Sequence, residues 1–115
     1  MVRGEVYFME LSPCSGSERT GRRPCIIVSS DAFSANSRWQ SITVVPLTSA
    51  ARWRRPSPTT VVLDEGECNL PRPGAAVAHQ VTTLDKGKIQ GTLVGTVPAV
   101  KMALVDVALR NCLGL

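Results

Sequence analysis

Apolar and β-branched residues fall in short runs along the 115-residue chain, each closed by Gly, Pro, Ser, Asn or Asp. Residues 4–10 form a first β-prone run, and the stretch 11–22, made of Ser, Gly, Pro, Thr and charge, reads as a loop. Pro24-Cys25-Ile26-Ile27-Val28-Ser29 is continuously apolar and β-branched, the pattern of a strand buried on both faces. Asp31 is placed to cap a short helical turn through Ala35. Residues 41–48 make another strand, in which Pro46 implies an edge or a bulge. Residues 49–57 form a second loop, rich in Arg and carrying Trp53. Strands follow at 59–63, 75–78 and 93–97, separated by a turn-rich link at 64–74 and a turn at Asp85-Lys86-Gly87.

The pattern changes only at the end of the chain. Met102, Val105, Leu109 and Cys112 recur at three- and four-residue steps, which predicts a helix with one apolar face. Pro98 suits its first position and Gly114 its stop, while Lys101 and Arg110 are expected to project elsewhere. Six or seven short strands and one terminal helix, without βαβ alternation or a Gly-rich phosphate loop, predict a mainly β fold: a small barrel with a C-terminal helix. No repeat or linker divides residues 1–115, so one domain is expected.

Composition narrows the function classes. Hydrophobic residues are 43% of the chain and charged residues 19%, which fits a folded domain with its own core. No apolar run approaches the ~20 residues that span a bilayer. The start, Met1-Val2-Arg3-Gly4-Glu5, lacks an apolar signal region, so a cytoplasmic setting is expected. Cys14, Cys25, Cys68 and Cys112 form no C-x-x-C pair, and Cys25 and Cys112 read as small buried hydrophobes. The net charge of +4 is modest, but its carrier is mostly arginine, clustered in the two loops. Guanidinium grips phosphate in a fork and stacks on bases, which points to nucleic acid.

The candidate chemistry then shrinks by exclusion. His79 is the only histidine, which rules out a two-histidine ribonuclease mechanism, and a lone histidine more often serves structure. No Ser or Cys stands in a nucleophile-elbow context. Asp64, Glu65 and Glu67 crowd one turn, which suits a solvated acidic turn better than metal ligands converging from several segments. Neither metal nor cofactor is therefore expected. Arginine remains. Arg22-Arg23-Pro24 stands where the first loop enters a buried strand, and Thr48 closes another strand. If those strands are neighbours, Arg23 and Thr48 can face one phosphate.

These residues carry a resemblance. The stretch from Gly16 through Glu18, Arg19, Arg22, Arg23 and Pro24 into Cys25-Ile26-Ile27-Val28 resembles the first signature of the MazF/PemK-type toxins, a G-S-E-like loop, an R-P pair and a buried strand. Pro46-Leu47-Thr48-Ser49 resembles their second signature, and His79-Gln80-Val81-Thr82-Thr83-Leu84-Asp85-Lys86 their third. Arg3-Gly4-Glu5-Val6-Tyr7 is similar to the family's start, so the likeness runs nearly end to end. It implies an SH3-like barrel, a homodimer, sequence-selective cleavage of single-stranded RNA, and inhibition by a cognate antitoxin whose disordered tail fills the RNA groove. By motif, it implies catalysis by Arg23 and Thr48, with Glu18 lining the site and Gln80 near the bound bases. Arg22 departs from the family pattern, and Arg52, Trp53, Arg54 and Arg55 have no firm counterpart in it.

The chemistry expected is attack by the RNA's own 2′-hydroxyl, leaving a 2′,3′-cyclic phosphate and a 5′-hydroxyl. Arg23 would neutralise charge on the phosphoryl oxygens and act as acid, Thr48 would donate a further hydrogen bond, and Glu18 or water would take the 2′-hydroxyl proton. Arg19, Arg22, Arg52, Arg54, Arg55 and Lys86 are candidate RNA contacts, Trp53 a base-stacking platform or a half-buried loop anchor, and Gln80 a base reader. Two alternatives stand beside this: a DNA gyrase poison of the same fold that cuts nothing, and a non-catalytic RNA-binding barrel.

Overall fold

The computed structural model describes residues 1–11 and 21–115. Cys14, Glu18 and Arg19 lie outside the described residues. Seven strands, β1 (Glu5–Leu11), β2 (Gly21–Ile27), β3 (Ser41–Thr48), β4 (Thr60–Leu63), β5 (Gly74–Val77), β6 (Thr82–Asp85) and β7 (Ile89–Thr96), make one antiparallel sheet. Its order is β4-β5-β3-β2-β1-β7, with β6 also paired to β3. A short helix, α1 (Asp31–Ser34), joins β2 to β3, and a long one, α2 (Ala99–Leu113), ends the fold.

Strand β3 organises the sheet because it is long enough to serve three neighbours. One flank pairs with β2, while the other pairs with β6 over Ser41 to Val44 and with β5 over Leu47 and Thr48. Pro46 was expected to mark an edge or a bulge, yet it sits on this central strand. It falls where the partner passes from β6 to β5, so its missing N–H interrupts no continuous ladder. The segment before Ile89, in which the sequence marks a turn at Asp85-Lys86-Gly87, also holds strand β6. Its half-buried residues Thr82 and Leu84 alternate with exposed Thr83 and Asp85, a weak period-2 signal that pairing with β3 makes decisive.

Both faces of the sheet are covered. Val6, Ile26, Val45, Leu47, Val61 and Leu63 pack with Val105 and Ala108 of α2. Met9, Leu11, Cys25, Ile27, Ile42 and Val44 form a second core on the opposite face. The sheet curls into a barrel through a 3₁₀ turn, Glu67–Asn69, which follows β4 and packs on β7 at the far end of the strand order. Asn69 Nδ2 donates to the Val94 carbonyl at 3.2 Å. A Cβ on Gly95 would stand 2.2 Å from the Cys68 carbonyl oxygen, so only glycine permits this closure.

The helix ends largely as expected. Gly114 stops it in the left-handed conformation with φ of 72°, and Pro98 lies just before its first residue. Its buried stripe centres on Val105 and Ala108, with Met102 and Leu109 half-buried beside them and Cys112 farther out. Lys101 does not project away. Its Nζ donates to the Val62 carbonyl at 2.6 Å and lies 3.5 Å from Glu67 and 4.0 Å from Asp64. The acidic turn is thus an anchor for α2. Arg3 holds the helix from the other side through Asp106 and the Val28 carbonyl. At α1 the cap is Ser30, whose hydroxyl accepts the Ala32 N–H, and not Asp31, whose carboxylate accepts the Arg3 N–H. No described helix is long and apolar enough to cross a membrane.

Candidate active site

The β2–β3 ladder runs from Ile27↔Val44 to Cys25↔Pro46 and stops there. Both strands carry a proline at this point, Pro24 and Pro46, and neither can donate a backbone hydrogen bond. The strands part beyond it. Continued two steps, the same register sets Arg23 opposite Thr48. The space between them is a cleft of about 160 Å³ whose walls include Arg23, Thr48, Ser49, Phe8, Arg72 and Gly74. Sequence placed Arg23 at the mouth of a loop; it lies instead within β2, registered against Met9 of β1. That pairing fixes its backbone more firmly than a loop junction would.

Adjacent residues on a strand point to opposite faces, and this separates the two arginines. Arg22 shares a face with Phe8, lays its guanidinium 4.0 Å from that ring centre and donates from Nε to Gln90 at 2.9 Å. Arg23 lies on the other face. Its Nε is buried and finds no hydrogen-bond partner among the described residues. An unpaired buried N–H costs about 1–3 kcal/mol, so the arrangement favours an incoming acceptor. Thr48 is only 5% exposed, and its Oγ1 accepts the Ala50 N–H at 3.2 Å, which fixes the hydroxyl. Gly74 presses on the same residue, since a Cβ there would lie 2.7 Å from the Thr48 carbonyl oxygen.

The neighbouring thiol is no nucleophile. Burial pushes Cys25 up to about 12, and the Arg23 charge only partly opposes this. Burial, helped by Glu67, likewise raises Cys68 to about 11. Among the described residues no three His, Cys, Asp or Glu side chains converge to hold a metal. The polar side chains among the cleft's lining residues belong to Arg23, Thr48, Ser49 and Arg72, a poor donor set for a hard divalent cation.

The other expected contacts are spread around the fold. Trp53, in a 3₁₀ turn at Ala51–Trp53, is half-buried with its ring 5.2 Å from that of His79. The Arg52 guanidinium stands 5.6 Å from the Trp53 ring centre, and Arg54 and Arg55 are exposed. His79 Nδ1 and Thr59 Oγ1 are 3.1 Å apart, so the lone histidine ties the residue just before β4 to the turn Ala78–Gln80 that also carries half-buried Gln80. Lys86 donates to the carbonyls of Asn36 at 2.8 Å and Phe33 at 3.4 Å, which fastens the end of α1. Arg72 was given no role by sequence, yet it lines the cleft; its setting between Pro71 and Pro73 was the available signal.

The family model of PemK-like, MazF-like toxins of type II toxin–antitoxin systems matches residues 2–113. Endoribonuclease MazF2 of Mycobacterium bovis is 34% identical over 113 residues, covering 98% of this chain and 96% of that protein. Endoribonuclease MazF of Staphylococcus epidermidis is 33% identical, covering 98% and 91%. Among solved structures, a mycobacterial endoribonuclease in complex with its cognate antitoxin superposes with a TM-score of 0.78 at 30% identity, covering 100% of this chain and 96% of that one. MazF from Deinococcus radiodurans gives a TM-score of 0.79 at 25% identity, covering 100% and 97%.

Proposed function

The chain belongs to the PemK-like, MazF-like toxins of type II toxin–antitoxin systems, and from that premise we propose that it cuts single-stranded RNA at a phosphate seated between Arg23 and Thr48. The observation that carries this reading is a cleft lined by Arg23, whose Nε is buried and unpartnered, with Thr48 set opposite it by the strand register. It is an endoribonuclease site that needs no metal: the RNA supplies the nucleophile and the protein supplies positioned donors.

In the step proposed, the 2′-oxygen bonds to phosphorus and the bond from phosphorus to the 5′-oxygen breaks. The 2′-hydroxyl proton passes to Glu18 or to water, and the leaving 5′-oxygen gains a proton through Arg23, which water resupplies. Arg23 meets the charge that grows on the phosphoryl oxygens, and the Thr48 hydroxyl adds a second donor. Each such donor is worth about 3 kcal/mol, or roughly 100-fold in rate. Exposed Arg52, Arg54 and Arg55 add basic surface for phosphates, Arg19 is a further phosphate contact by motif, and Gln80 and Trp53 select among bases.

The toxin acts in the cytoplasm as a homodimer. The outer side of α2 supports this, with Val100, Leu104 and Val107 exposed as an apolar face. Its inhibitor is a cognate antitoxin with an acidic segment that occupies the basic cleft. The test is purified protein on a long RNA with the new 5′ ends sequenced. Cuts at a short recurring motif, abolished by 2′-deoxyribose at the cut position and unaffected by EDTA, are the expected result. Efficient cutting of the 2′-deoxy substrate removes the proposed nucleophile, and RNA bound but left whole makes the protein a non-catalytic binder.

A further inference from the structure

Arg72 has no part in the cleavage step above, yet it opens onto the same cleft as Arg23 and Thr48. Its backbone is unusually constrained for an exposed residue. Pro71 and Pro73 each fix their own φ, and Pro73 confines Arg72 to extended conformations. The next residue, Gly74, begins β5 and abuts the Thr48 carbonyl, with room for no Cβ. The segment that carries Arg72 is therefore set at a fixed offset from Thr48.

The charge arrangement is equally specific. The ion pairs among the described residues join Arg3 to Asp106 and Lys101 to Asp64 and Glu67, and none includes Arg23 or Arg72. Two arginines thus line one cavity, and no described acidic residue is among its walls. A cavity lined by two cationic residues and no acidic one favours anions. A single strand of RNA brings a row of them.

We propose that Arg72 grips a second phosphate of the bound RNA strand, beside the one that Arg23 activates, and so sets the register of the strand in the cleft. This rests on the endoribonuclease reading and extends it to how the substrate is held. Arg72 is a binding residue, and the chemical step does not need it.

The test measures binding apart from cutting. A single-stranded RNA carrying 2′-deoxyribose at the cut position is titrated by fluorescence anisotropy over a salt series, with wild type, Arg72→Ala and Arg72→Lys. Arg72→Ala should weaken binding about tenfold, the effect of losing one charge-assisted contact. It should also flatten the slope of log affinity against log salt by about 0.7, the value for one single-strand phosphate. Arg72→Lys should keep the slope and restore part of the affinity. A neutral methylphosphonate at the gripped position should make wild type and Arg72→Ala equal. Single-turnover cutting of the all-ribose RNA by Arg72→Ala should fall much more at sub-saturating protein than at saturation, since a binding contact acts chiefly on how much complex forms. Unchanged affinity and slope in Arg72→Ala overturn the proposal, as does a loss confined to the single-turnover rate. If wild type binds the RNA but never cuts it, the endoribonuclease reading falls alone, because the Arg72 contact is still read from binding.

Discussion

Around α2, Lys101 reaches the Val62 carbonyl and Glu67 on one side, and Arg3 is held by Asp106 and the Val28 carbonyl on the other. At the opened end of the β2–β3 ladder, Arg23 and Arg72 line a cleft and neither is paired with a described acid. The same kind of charge does different work in the two regions. On the helix flank each cation completes a local network and holds an element in place. In the cleft the sites that would complete the network are left for a ligand. Net charge and arginine number cannot tell these roles apart; the partners of each side chain can.

The sharpest way to break the contrast is Arg23→Ala. Cutting should fall at least roughly 100-fold while the melting temperature stays close to wild type, and Thr48→Ala should approach the same loss. A fully active Arg23→Ala enzyme, measured on the mapped RNA substrate, ends the assignment. Next comes one change made in both regions. Gly95→Ala drives a Cβ into the Cys68 carbonyl that closes the barrel, and should cost about 1–3 kcal/mol in urea unfolding with cutting per folded molecule retained. Gly74→Ala drives a Cβ into the Thr48 carbonyl, and should lower the cutting rate by more than its stability change explains. If both variants only destabilise, the cleft is no more sensitive to backbone position than the closure.

Lys101→Met should lower stability by about 1–2 kcal/mol by removing a charged hydrogen bond, and leave the cutting rate unchanged below the melting transition. The smallest effect is on the thiols. Cys25 and Cys68 have pKa values raised to about 12 and about 11, so at neutral pH iodoacetamide should label Cys112 and spare both. In the unfolded chain these thiols ionise near their ordinary 9.0, so the stability that they contribute is intact below that pH and fades above it as the pH climbs toward their folded values. Arg23→Ala should leave Cys25 just as inert, because burial and not the neighbouring charge sets its state; rapid labelling in that variant would contradict this.

Much of the fold was legible in the chain. The runs at 24–29 and 41–48 and the 102-105-109 spacing of the helix depend on local periodicity, which burial on one face or two writes directly into sequence. Strand β6 was harder to read, because Thr82 and Thr83 gain strand character only from β3 beside them. Lys101 read as a projecting charge and Lys86 as an RNA contact because their partners are carbonyls distant in sequence, at Val62 and Asn36. In the site, motif resemblance singled out Arg23 and Thr48, whereas Arg72 belongs to no motif that marks it.

The sequence by itself determined the inventory: a β-rich chain with one terminal helix, a single histidine, and arginine as the remaining source of phosphate chemistry. Its motifs determined the family. The tertiary structure alone decided which arginines are available. Arg22 and Arg23 are neighbours in the chain, but strand alternation sends one onto Phe8 and Gln90 and leaves the other with a bare Nε. Composition carries no information about that division, because availability depends on which partners the folded sheet brings within hydrogen-bond reach.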